Sequence, residues 1–361
     1  MPPATSVAFL RRLLEAVGPS GFEDAAARAW RAEAETFARV EVDVVGNSFA
    51  WAGERGGHPD PDQPTILLAG HIDEIGLIVT YIDEQGFAWV APIGGWDPQV
   101  LVGQRMRFLG RDGDVTGIVG KKPIHLMKPD EREKASKLTD LWVDIGATSR
   151  EEAERRLRVG DPGVVEQPVL EFPNGRVVSR AIDNRIGAYV VLEALRRYHA
   201  EPGEARVVAI ASSREEIGLT GGGILPGAAA THAVMGLVVD VTFATDHPQV
   251  EKKEHGDHAL GSGPVLTRGS VISPVVFDLL RRTAEGAGIP HSVQAAGKLT
   301  STDADYVMVA RTGIATGLVS VPNRYMHSPN ETVSLSDLDH AAELLARTCR
   351  AVTRDTRFTP R

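Results

Sequence analysis

Thr65-Ile66-Leu67-Leu68-Ala69-Gly70-His71-Ile72-Asp73-Glu74 is the stretch from which the fold can be read. A mostly apolar run ends at a glycine, and a histidine and two carboxylates follow within four residues. A short apolar run closed by a turn signal reads as a strand buried on both faces. The pattern recurs downstream. Arg206–Ser212 runs into Arg214-Glu215-Glu216-Ile217-Gly218, Ala233–Val239 ends at Asp240, and Ile314–Val321 is followed by Pro322-Asn323-Arg324-Tyr325-Met326-His327. Helical spacing over Asn184–Tyr198, Ser273–Gly286 and Leu335–Val352 fills the intervals. Strands alternating with helices predict an α/β fold, a mostly parallel sheet sandwiched by helices. In such sheets ligands bind beyond the carboxyl ends of the strands, where these polar residues lie.

Upstream, Val7, Leu10, Leu13, Leu14 and Val17 predict one helix and the Ala-rich segment Ala25–Ala38 a second. A strand over Val40–Val45 and a surface loop over Gly53–Pro64 complete the first part of the sheet domain, residues 1–75. From Gly76 the texture changes to short β-type runs separated by glycine-containing turns, with one helical stretch over Ser149–Val159. That spacing predicts an inserted β-rich, barrel-like domain over residues 76–166, with the sheet domain resuming over 167–361. Asp73 and Asp183 are about 110 residues apart. If they share a site, an inserted domain accounts for the interval, because an ordinary loop is far shorter.

Composition narrows the function. The chain has 361 residues, 42% of them hydrophobic, enough for a sizeable core. Its net charge of −9, with no long Lys/Arg run, argues against nucleic acid as a partner. Cys349 is the single cysteine, so no intrachain disulfide forms and a cytoplasmic location is expected. The uncharged segment Ile217–Val239 is long enough to span a bilayer, but Gly221-Gly222-Gly223 and Pro226-Gly227 break it into a turn, a loop and a strand. No membrane partner is expected. Asn330-Glu331-Thr332 reads as a chance sequon, and no Gly-x-Ser-x-Gly elbow or phosphate loop is present.

Four strand ends and the helix start Ala181-Ile182-Asp183-Asn184-Arg185 thus deliver two histidines and several carboxylates to one edge. Imidazole with carboxylate favours zinc or cobalt over calcium or magnesium. Two ions a few ångströms apart need a bridging ligand, a role a carboxylate fills with its two oxygens. In His71-Ile72-Asp73 the carboxylate is placed to fix the histidine tautomer. Glu215 and Glu216 repel each other unless a metal neutralises one, which leaves the other to take a proton from water.

The motifs together resemble the TET-type dinuclear metal aminopeptidases, a family also labelled glutamyl aminopeptidase, deblocking aminopeptidase and "endoglucanase M". They include Gly18-Pro19-Ser20-Gly21-Phe22-Glu23, Asp43–Asn47, Gly70–Gly76, Asp144–Ala147, Asp183–Gly187, Glu215–Leu219, Val239–Thr242, Thr302-Asp303-Ala304 and Arg324–Pro329, in order along nearly the whole chain. The resemblance implies two zinc or cobalt ions per subunit. Asp183 bridges them, His71 and Asp240 hold one, and Glu216 and His327 hold the other. Glu215 is similar to the family's general base and Asp73 to the carboxylate that orients the first histidine. It also implies a metal-bound hydroxide attacking the scissile carbonyl, short peptides as substrates, and self-association into dimers and a dodecamer through the insert. Trp89, Trp96, Leu101 and Val102 are then expected on the insert's contact surface. Asn184, Arg214 and Thr300-Ser301 depart from the commonest family pattern, and the last two bear on substrate preference. Two other readings stay open at this point. A glycoside hydrolase needs only a carboxylate pair and gives His71 and His327 no role, and a catalytically silent scaffold of the same fold needs neither.

Overall fold

The computed structural model describes residues 2–53, 63–218 and 222–359, so most of the loop read over Gly53–Pro64, and residues 219–221, lie outside it. Two helices, α1 (Ala4–Glu15) and α2 (Asp24–Ala34), precede strands β1 (Arg39–Val42), β2 (Ser48–Ala52) and β3 (Thr65–His71). A barrel follows, built from β4 (Gly76–Ile82), β5 (Ala88–Ile93), β6 (Arg105–Gly110), β7 (Gly113–Gly120), β8 (Trp142–Asp144) and β9 (Pro162–Val165). Strands β10 (Leu170–Phe172) and β11 (Arg176–Ser179) lead into helix α3 (Ile182–Ala200). The remainder is β12 (Arg206–Ser212), α4 (Ile224–Thr231), β13 (Met235–Phe243), β14 (Val265–Gly269), α5 (Pro274–Ala287), β15 (Ser292–Ala296), β16 (Ala315–Asn323), β17 (Glu331–Ser334) and α6 (Leu335–Arg350).

Eight strands form one sheet in the order β1-β2-β12-β3-β13-β16-β14-β15. Its central pairs β12/β3, β3/β13 and β13/β16 are parallel, as the alternating pattern predicts. β3 is buried along its whole length, the signature of a strand covered by helices on both faces. The register aligns the functional ends, with Ser212 opposite His71 and Val238 opposite Ala69. Asp240, two residues past Val238, therefore lies level with His71. It is not the strand terminus expected from the sequence, because pairing with β16 carries β13 on to Phe243.

The barrel closes in the order β4-β5-β8-β7-β6-β9 and has its own apolar core, including Leu77, Val79, Met106, Phe108 and Val143. Leu101 belongs to that core and not to a contact surface, and Trp96 packs against it, whereas Val102 is exposed. The helical stretch read over Ser149–Val159 shrinks to Arg150–Glu154, capped by the Ser149 hydroxyl.

Two close contacts bring α3 over the sheet edge. A Cβ on Gly70 would come within 2.4 Å of the Gly187 carbonyl carbon and 2.6 Å of the Ala188 nitrogen, so only glycine lets the helix pass. The buried Arg185 then latches the N-terminal segment. Its guanidinium pairs with Glu74 at 2.7 Å and donates to the carbonyls of Leu13 (2.9 Å), Ile72 (3.1 Å) and Ala16. Arg180 reaches the other Glu74 oxygen and the carbonyls of Glu15 and Ala16 at the end of α1. These donors satisfy helix-terminal carbonyls that α1 leaves unpaired. Breaking a buried pair costs about 3–5 kcal/mol because one charge stays unpaired. Glu74→Gln, which leaves the buried Arg180 and Arg185 cations without their carboxylate, should lower unfolding free energy by about that amount in urea denaturation at fixed protein concentration. A loss under about 1 kcal/mol, the range of an exposed pair, would mean that Glu74 is screened by water.

Candidate active site

All seven residues singled out at the strand and helix ends meet in one cleft or directly behind it. The Asp183 carboxylate stands between the two histidines, with Oδ1 3.2 Å from His71 Nε2 and Oδ2 3.4 Å from His327 Nε2. His327 Nε2 is also 3.3 Å from Glu216 Oε2, and His71 Nε2 is 3.7 Å from Glu215 Oε2. Two donor sets are compact enough for a metal ion, His71–Asp183–Glu216 and His71–Glu215–Asp240, each with its ligand atoms within 4.8 Å of one another. The cleft, about 650 Å³, also receives Thr242, Gln294, Leu299, Thr300, Asp303 and Tyr306.

Each histidine has its second nitrogen fixed. His71 Nδ1 lies 3.3 Å from Asp73 Oδ1. His327 Nδ1 lies 2.8 Å from the carbonyl oxygen of Gly95, in the barrel segment after β5. In the tautomer that donates from Nδ1, both Nε2 lone pairs face the carboxylates. The barrel therefore takes part in building the site through one backbone carbonyl.

Two buried carboxylates clamp the backbone beneath. Asp73 accepts the Glu215 and Glu216 N–H groups, each at 3.1 Å, and the Ser20 hydroxyl at 2.6 Å. Glu331 accepts the Asp183 N–H at 3.0 Å and the His327 N–H at 2.9 Å. Sequence reasoning missed Glu331, because Asn330-Glu331-Thr332 was read only as a sequon. Its signal is a carboxylate four residues after His327, at the start of an otherwise uncharged strand. Asp303, also missed as a functional group, accepts the Ser212 hydroxyl at 2.5 Å at the end of β12.

The departures from the family pattern separate here. Asn184 donates to the Val239 carbonyl at 2.8 Å and accepts the Gly187 N–H at 3.0 Å, a two-sided role that a carboxylate cannot fill. Arg214 turns away to the Val45 carbonyl. Thr300 and Ser301 line the cleft.

The electrostatics are lopsided. Burial pushes the Glu215 carboxyl up to about 10, assisted by Asp240, Asp303 and Glu216 and opposed by His71. Burial likewise raises Glu216, Asp240 and Glu331, and takes Asp303 to about 7. Burial opposes the charged form of His327, but the Asp183 and Glu216 carboxylates outweigh it and raise its pKa to about 11. The buried Glu216 Oε1 has no hydrogen-bond partner among the described residues. An orphaned carboxylate oxygen within a surplus of acid is a donor set that fits divalent cations.

A family model described as M42 glutamyl aminopeptidase matches residues 52–344. The lysyl aminopeptidase of Pyrococcus furiosus is 33% identical over 340 residues, covering 93% of this chain and 94% of that protein. Among solved structures, the TET aminopeptidase of the marine sediment archaeon Thaumarchaeota archaeon SCGC AB-539-E09 superimposes with a TM-score of 0.90 at 34% identity, covering 96% of each chain. The Pyrococcus horikoshii TET1 peptidase, which can assemble into a tetrahedron or a large octahedral shell, gives 0.83 at 27% identity, over 96% of this chain and 100% of that one.

The charge surplus predicts a pH dependence for the metal-free protein. Glu215 and His327 both have folded pKa values above their ordinary values, so between about 4.5 and 10 for the former and 6.5 and 11 for the latter the native state binds more protons than the unfolded chain. Stability is then lost as pH rises through those windows. The melting temperature of the metal-free protein should fall steadily from about pH 6.5 to 10. Metal-loaded protein should show a flatter profile, since cations replace the protons. Parallel profiles for the two forms in scanning calorimetry would contradict this reading.

Proposed function

This chain belongs to the M42 glutamyl aminopeptidase family, and on that premise we propose that it is a dinuclear metal aminopeptidase. It removes N-terminal residues from short peptides in the cytoplasm. The observation that carries the reading is the Asp183 carboxylate, with one oxygen facing each histidine. In this assignment Asp183 would contribute one oxygen to each of two zinc or cobalt ions. His71 and Asp240 would hold one, and Glu216 and His327 would hold the other. Bound there, the ions would supply Lewis acidity toward the scissile carbonyl and make the attacking water more acidic.

The chain's own residues do the rest. Glu215 is the carboxylate beside His71 that is left over once Glu216 ligates, and its side chain faces the cleft. It takes a proton from the attacking water and returns it to the nitrogen of the leaving peptide. Asp73 holds this base in place by accepting its backbone N–H, and keeps His71 in the tautomer with a free Nε2. Glu331 does the same for the backbone of Asp183 and His327. The glycoside hydrolase alternative leaves both histidines without a role.

We extend the proposal to assembly. The barrel supplies a two-fold contact surface, and further contacts close the dimers into a dodecamer, consistent with the shells formed by the P. horikoshii relative. No helix among the described residues is long and apolar enough to cross a membrane.

Chelation should abolish leucine-anilide hydrolysis, and Zn²⁺ or Co²⁺ should restore it. Glu215→Gln should keep its metal and lose about 10²–10⁴-fold in kcat, whereas Glu216→Gln should lose metal. Metal loss at position 215 with retention at 216 would reverse the two assignments, and full activity in verified metal-free protein would end the metallopeptidase reading.

A further inference from the structure

The names carried by the family and by its P. furiosus member, glutamyl and lysyl, both denote charged N-terminal residues. One side pocket of this chain's cleft offers neither charge a buried partner among its lining residues. Beside the candidate metal site a side pocket of about 350 Å³ opens between the ends of β13, β14 and β16 and the segment after β15. It shares Thr242, Gln294, Leu299, Thr300 and Thr302 with the main cleft, so a residue whose carbonyl lies at the site can send its side chain there.

The walls are neutral. Thr242, Thr267, Gln294 and Ser320 offer hydroxyls and an amide, and Leu318 and Leu299 offer apolar surface. Of its lining residues Lys298 alone is charged, and it is exposed. The nearby acids in the main cleft are engaged elsewhere. Both oxygens of Asp305 pin the loop, accepting from the Thr300 N–H (2.9 Å), the Thr300 hydroxyl (2.7 Å) and the Ser301 N–H (2.9 Å). Asp303 accepts from Ser212. Thr242 Oγ1 donates to Gln294 Oε1 at 2.9 Å, which sets the amide and leaves its Nε2 hydrogens for a neutral acceptor.

We propose that this pocket selects uncharged N-terminal side chains, of the size and polarity of leucine, methionine or glutamine, with Gln294 as a specificity-determining residue. The inference rests on the aminopeptidase reading. A lysine ammonium would leave water for hydroxyls with no carboxylate to pair it, and a glutamate would leave water with its nearest lining cation in solvent. Burying either charge unpaired is costly, whereas an uncharged side chain loses little and buries apolar area.

The test is a kcat/KM panel on metal-loaded, full-length protein with aminoacyl anilides of Leu, Met, Gln, Lys, Arg and Glu. The best uncharged substrate should exceed Lys, Arg and Glu by about tenfold or more. Gln294→Glu places a carboxylate in the wall and should raise the Lys-to-Leu ratio by about tenfold or more at unchanged metal content. A wild-type enzyme that cleaves Lys, Arg or Glu as well as the uncharged set overturns the proposal while leaving the aminopeptidase reading intact. So does a Gln294→Glu variant that binds metal but keeps the wild-type ratio. Failure to hydrolyse any of the six substrates removes the aminopeptidase reading, and this inference with it.

Discussion

An excess of buried negative charge governs this molecule. Asp73, Asp183, Glu215, Glu216, Asp240, Asp303 and Glu331 converge on His71 and His327 at one edge of the sheet, and all of the carboxylates are buried except Glu215 and Glu216, which are half-buried. Without cations such a cluster must hold protons, which is what the raised carboxyls of Glu215, Glu216, Asp240 and Glu331 express. A protein that keeps such a destabilising feature has a use for it, and binding divalent metal is the use that fits imidazole and carboxylate donors.

The fold serves that cluster at three depths. The parallel register of β12, β3 and β13 sets Ser212, His71 and Asp240 at one level. Gly70 lets α3 cross close enough for Asp183 to reach between the histidines. Asp73 and Glu331, one on each side, use backbone N–H groups to hold Glu215–Glu216 and Asp183–His327 in place. Around them the Glu74–Arg180–Arg185 network ties α1 to the same edge, and the Gly95 carbonyl reaches in from the barrel to orient His327. The barrel is thus coupled to the site by a backbone hydrogen bond.

What was legible in the sequence was whatever ends an apolar run. His71, Asp73, Glu215 and Glu216 stand out because β3 and β12 are largely apolar strands, the helices α5 and α6 have clear 3.6-residue patterns, and α3 is buried on nearly all sides. β14 and β15 are short, five residues each, and neither is an apolar run: β14 carries Arg268 and Gly269, and the edge strand β15, Ser292–Ala296, has no large apolar residue besides Val293. α4 went unread because Pro226 and Gly227 look like breakers, yet proline is tolerated in a first turn and Gly227 packs against Asn47. Glu331 and Asp303 stand in the sequence within a sequon and within the Thr302-Asp303-Ala304 motif, and neither reads there as a carboxylate that holds the site together. Their work is to accept hydrogen bonds from groups 148 and 91 positions away in sequence, which only the tertiary structure discloses.

Metal stoichiometry shows whether the acid surplus around Asp183 holds two cations, as we propose. Chelator-stripped protein is dialysed to equilibrium against Zn²⁺ or Co²⁺, and metal per chain is measured by elemental analysis for the wild type and Asp183→Asn. Two equivalents are expected in the wild type and a loss at both positions in Asp183→Asn, since the amide presents only one oxygen. A wild type that binds no metal, or an Asp183→Asn variant that still holds two tightly, would contradict that proposal.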